Sequence, residues 1–192
     1  MSYIPALEIG LWNAWIFMIW LILFPIISSY IIKEKEVSKE LRTSAPMKYE
    51  KIFNIISMTA VILGFIYSFF IPLKYNNTWF YIGLLIFLIG FIFNLTVLYT
   101  LRGAKLDKPF TNGPYKYSRH PIYLSLFLII ISISIMSLSW VFLLIVIIVA
   151  LHQLIAAPAE EQYCLKKYGK EYQDYMVKTS RWIGIPKSVV KQ

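Results

Sequence analysis

Cys164 is the one cysteine in the chain. A single thiol excludes an internal disulfide and any metal site built from cysteines. Histidine is nearly as scarce, and His120 and His152 come without an HExxH pair or closely spaced carboxylate ligands, so no metal is expected. A glycine-rich phosphate loop and a Gly-x-Gly-x-x-Gly turn after a strand are also missing, which removes the familiar nucleotide-binding signatures. Charged residues make up only 15% of the chain, too little polar surface for an ordinary soluble domain. The few charges are lopsided, nineteen Lys and Arg against ten Asp and Glu. Beside long apolar runs, such a basic excess faces anionic lipid headgroups rather than nucleic acid, and no nucleic-acid partner is expected.

What is present is apolar. Hydrophobic residues are 58% of the 192, and windows at 9–32, 52–73, 79–101, 121–136 and 139–157 each approach the roughly 20 residues that cross about 30 Å of hydrocarbon. They predict an all-α integral membrane bundle of five transmembrane helices, the fourth short, followed by a cytoplasmic C-terminal amphipathic helix. Basic residues give an independent count, because they collect in cytoplasmic loops. With five spans, eighteen of the nineteen fall on one face and Lys74 alone on the other. That arrangement puts the N-terminus outside and the C-terminus in the cytoplasm. The first apolar segment lacks a basic leader region and reads as a retained helix. Residues 1–192 form one membrane domain, with helices 1 to 3 over 9–101 and a cofactor-binding core over 102–192.

Helix 1 is expected to begin after Pro5, with Trp12, Trp15 and Trp20 as interfacial anchors and a kink at Pro25. The segment 33–51 mixes Lys and Glu and suits a helix on the membrane surface. Gly64, Gly83 and Gly90 allow close approach between helices, and Asn94 inside a span is either interhelical glue or a pocket group. A short connection over 136–140 makes helices 4 and 5 a tight hairpin. Beyond Pro158, Leu165, Tyr168, Tyr172, Tyr175 and Met176 recur at helical spacing, with an interruption near Gly169.

Polar chemistry concentrates in residues 111–123, which hold Asn112, Gly113, Tyr115, Arg119, His120 and Tyr123. Asn112-Gly113-Pro114 is a turn signal that folds the loop back on the bundle. Pro121 then suits the first turn of a helix whose free N–H groups favour an anion. The hairpin brings Glu160 and Glu161 to the same end. An acid pair, a guanidinium and aromatic rings at a membrane surface form a functional site, suited to a zwitterionic or cationic small molecule.

At these residues the chain resembles the isoprenylcysteine carboxyl methyltransferase and phospholipid methyltransferase superfamily. The resemblance rests on Gly113-Pro-Tyr-Lys-Tyr-Ser-Arg-His-Pro-Ile-Tyr123, Glu160-Glu161 and Tyr168-Gly-Lys-Glu-Tyr172-Gln-Asp-Tyr175, and covers roughly 106–186. It implies S-adenosylmethionine as methyl donor, bordered by Asp107, Lys108, Pro109, Phe110, Tyr115, His120, Pro121, Ile122, Tyr123 and Glu160. Arg119 and Glu161 are expected as catalytic residues, and the acceptor as a lipophilic or lipidated molecule in the membrane. One position departs from the pattern. Carboxyl methyltransferases of the superfamily carry an arginine one helical turn before the first glutamate, where this chain has Ala156. His152, another turn deeper, reads either as a base for the acceptor or as an interhelical hydrogen-bonding residue. The tail with Arg119-His120-Pro121 also resembles the end of the membrane sterol reductases, which use NADPH, and this stands as the alternative.

Overall fold

The computed structural model describes residues 8–31, 48–102 and 107–186. Six α-helices follow in order: α1 (Trp15–Ile31), α2 (Lys48–Ser68), α3 (Thr78–Leu101), α4 (Pro121–Ser137), α5 (Trp140–Tyr168) and α6 (Lys170–Lys178), with a 3-10 turn at Gly113–Lys116 before α4. Among the described residues there is no sheet, only a bridge between Asn13 and Pro72. Three helices are long and apolar enough to cross a membrane, α2 over Lys51–Ser68, α3 and α5, while α1 and α4 are shorter apolar helices. Their outward faces carry Ile55, Leu63, Leu85, Ile92, Leu144 and Leu154, all exposed. An apolar exterior of this extent suits lipid, not water. The protein is a multi-pass membrane protein.

The closest packing joins α3 to α4. A Cβ on Gly83 would stand 2.5 Å from Met136 Cγ and 2.8 Å from the Ser132 carbonyl oxygen, and one on Gly90 2.9 Å from Leu128 Cβ. Glycine at these two positions lets the backbones meet. Between them and α1 lies a polar link. Trp20 Nε1 donates to Asn94 Oδ1 at 3.2 Å, Asn94 Nδ2 donates to Ser125 Oγ at 2.8 Å, and Ser125 Oγ donates to the Ile122 carbonyl at 2.8 Å. Asn94 is fully buried and is therefore the interhelical glue.

Three sequence expectations need correcting. Helix 1 starts at Trp15, because the preceding residues form a turn that docks on the α2–α3 connection: Ala14 N–H donates to the Ile71 carbonyl at 3.0 Å, and the Asn13 side-chain amide donates to the Phe69 carbonyl there and to the Glu8 carbonyl of its own segment, at 2.6 Å each. Trp20 is not an interfacial anchor but packs edge-on against Phe91 and bonds Asn94. The C-terminal helix does not begin afresh at Pro158: α5 runs through that proline for 29 residues. The break comes at Gly169, whose φ of 56° leaves the helical region. The expected surface helix over 33–51 lies largely outside the described residues.

Candidate active site

The turn at Gly113–Lys116 folds the loop against the end of α3. Gly113 has φ 56° and a Cβ there would meet the Thr100 hydroxyl at 2.7 Å, so both conformation and space demand glycine. Tyr115 follows, buried with Val97 and Leu101, and Phe110 and Ile122 pack on the same cluster. The Tyr175 hydroxyl of α6 donates to the Tyr115 carbonyl at 2.7 Å. Burial raises the pKa values of Tyr115 and Tyr175, which keeps both phenols neutral.

Pro121 opens α4, where its missing N–H costs nothing, and His120 takes the capping position with its amide on Ser118 Oγ at 3.1 Å. The imidazole lies between two carboxylates of α5. Its Nε2 is 3.2 Å from Glu161 Oε1 and its Nδ1 is 3.4 Å from Glu160 Oε2. Only a doubly protonated ring donates to both. Burial by itself lowers the imidazole pKa, but the hydrogen bonds to Glu160 and Glu161, with their charges, outweigh it and leave it raised. Tyr123, one turn along α4, stacks on the ring at 5.4 Å and donates its hydroxyl to Glu160. Gln153 of α5 ties the hairpin by donating to the Tyr123 carbonyl at 3.2 Å.

The two glutamates differ. Glu161 has 3% of its side chain exposed and receives Arg119 Nη2 at 3.0 Å, Arg181 Nε at 2.9 Å and Arg181 Nη2 at 2.8 Å besides His120. Glu160 keeps 42% of its side chain exposed. One carboxylate is therefore consumed by cations, and its neighbour is open.

Of the residues expected from sequence, Arg119, His120, Tyr123, Glu160 and Glu161 converge. Pro121 is buried at the start of α4, Tyr115, Phe110 and Ile122 form the apolar cluster beside it, Pro109 is half-buried, and Asp107 and Lys108 are exposed. His152 is half-buried on α5 and makes no interhelical hydrogen bond among the described residues. Sequence reasoning missed Arg181, which looked like one more positive charge in a basic tail, and Trp182, whose ring lies 5.9 Å from that of His120. Their signal was position alone: they follow the amphipathic helix that returns the chain to the site.

An all-helical membrane bundle with an Arg-His-Pro turn facing a Glu-Glu pair defines the class, the superfamily of isoprenylcysteine carboxyl and phospholipid methyltransferases. Within it, the family model of the phospholipid methyltransferases matches residues 78–171, from the start of α3 into α6. Over these residues the chain is similar to the phospholipid methyltransferase family, whose members methylate a lipid acceptor in the membrane with S-adenosylmethionine. The methyltransferase reading thereby prevails over the reductase alternative. No curated protein matches the chain.

Proposed function

We propose that the cluster around His120 and Glu160 holds S-adenosylmethionine on the cytoplasmic side, and that the acceptor is the amine of a phospholipid headgroup. The single observation that carries this reading is the contrast between the two glutamates. Glu160, partly exposed and backed by His120 and Tyr123, is the carboxylate free to hold the donor's ammonium. Tyr123 offers a ring to the adenine or sulfonium. Arg119 Nε is buried without an acceptor among the described residues, and three cations face two carboxylates here. The residues thus fit a zwitterion, with the surplus positive charge and the N-terminus of α4 directed to the methionine carboxylate.

Neither arginine remains for an acceptor carboxylate. Arg119 and Arg181 both hold Glu161, and Ala156, where the carboxyl methyltransferases have their arginine, is buried and apolar. A neutral amine needs no such counter-ion. When bound, the donor supplies an already activated methyl carbon for in-line displacement, so the protein's task is alignment and exclusion of water. Glu161 serves that task by holding Arg119 and His120 rather than by touching the reacting atoms. Tyr115, Phe110 and Ile122 support the loop, while Asp107 and Lys108 lie at its rim.

Isothermal titration of the detergent-purified protein with S-adenosylhomocysteine, with NADPH as competing titrant, tests the donor site. Binding should fall at least about tenfold in Glu160→Gln, the loss of one charged contact; equal binding in the variant would overturn the assignment. Methyl transfer should then favour an amine-headgroup phospholipid over a prenylcysteine acid, and the reverse preference would overturn the acceptor.

A further inference from the structure

We propose that Arg181 is a positioning residue of this site: its guanidinium fork fixes Glu161, and Glu161 in turn fixes the His120 ring against Glu160 and Tyr123. The proposal rests on the reading that the cluster binds the methyl donor. Arg181 lies outside the matched residues 78–171, in an irregular segment after α6. That segment is held against the Arg-His-Pro turn by its own backbone. Arg119 N–H donates to the Ser180 carbonyl at 3.1 Å, Gly184 N–H to the Tyr117 carbonyl at 3.0 Å, and Ser118 Oγ to the Arg181 carbonyl at 3.2 Å. Arg181 is thus delivered to Glu161 by the same residues that present His120.

The contact is side-on, with Nε on one carboxylate oxygen and Nη2 on the other, at 2.9 and 2.8 Å. Such a fork sets the plane of the carboxylate, which a lysine's point charge does not. With that plane set, Glu161 Oε1 faces both Arg119 and His120 Nε2. Trp182, the next residue, tilts against the same imidazole. An ordinary exposed ion pair contributes little, but here one partner is buried and shared with two further cations.

Charged and titratable groups facing His120 are Glu160 and Glu161 from α5, Tyr123 from α4, Arg119 beside it, and Arg181 from the tail through Glu161. Without Arg181, Glu161 has one cation fewer and holds the imidazolium more strongly. Histidine NMR on the full chain, with His152→Gln to assign the two rings, should move the His120 titration to higher pH in Arg181→Ala by about half a unit or more. S-adenosylhomocysteine affinity should fall at least about tenfold. Arg181→Lys, which keeps the charge without the fork, should bind more weakly than wild type and decides the matter if the alanine variant does not fold. Wild-type affinity and an unmoved His120 titration in a folded variant would overturn the proposal. If the wild type itself failed to bind S-adenosylhomocysteine while the titration moved as stated, the donor reading would fall and the positioning role would stand.

Discussion

Glu161 concentrates more interactions than any other side chain in the site, and its removal should be felt first as stability. Glu161→Ala leaves the Arg119 guanidinium and His120, with 9% and 6% of their side chains exposed, without their shared carboxylate. Breaking a buried ion pair from one side costs about 3–5 kcal/mol, so the thermal midpoint in detergent should drop by several degrees, with Glu161→Gln between alanine and wild type. His120 sets a pH dependence of definite sign. Its folded pKa is raised above the ordinary value near 6.5, so its contribution is complete below that value and is lost as pH rises through the raised one. Thermal midpoints should therefore decline as pH rises above the ordinary imidazole value in wild type, and His120→Asn should remove that slope. His120, Glu160 and Glu161 were legible in the sequence because polar residues at the ends of apolar helices are conspicuous. Arg181 was not, since a basic residue in a basic tail has no local pattern; only the fold of residues 179–184 against residues 117–119 reveals it.

At the scale of helices, the α3–α4 pair braces the start of α4 on which His120 and Tyr123 stand, and two substitutions probe it. Gly83→Val would push a side chain into Met136 and the Ser132 carbonyl, and overpacking of this kind costs about 1–3 kcal/mol. Asn94→Leu removes the acceptor of Trp20 and the donor to Ser125, a loss of about 1–2 kcal/mol by the scale of interhelical polar bonds. Both should lower the thermal midpoint while leaving the ionic cluster's residues intact. Helix positions followed from the apolar windows, since lipid-spanning helices must be long and uniformly apolar. The break near Gly169 was also legible, but the start of α1 at Trp15 and the unbroken course of the fifth span did not follow. The first depends on tertiary pairing of Asn13 and Ala14 with the α2–α3 connection, and the second passes through Pro158, where local proline statistics point to a stop.

Across the whole molecule, the site sits where α4 begins and where α5 leaves the apolar part of the bundle. The charge distribution predicts that this face is cytoplasmic. In a Cys164→Ser background, a cysteine introduced at Asn76 should react with an impermeant maleimide added outside intact cells, and one at Lys178 should react only after permeabilisation; the opposite pattern would invert the topology. The length of α5 adds a further consequence. From Trp140 to Glu160 the helix rises about 30 Å, the thickness of a typical hydrocarbon core. With an exposed tryptophan at one end and the partly open carboxylate at the other, α5 has the length to gauge the bilayer around it. In a thinner membrane the acid pair would ride up into water, and in a thicker one it would be drawn toward the acyl chains. Turnover should then peak at one lipid chain length, so the membrane that holds the lipid acceptor would also set the speed of its methylation.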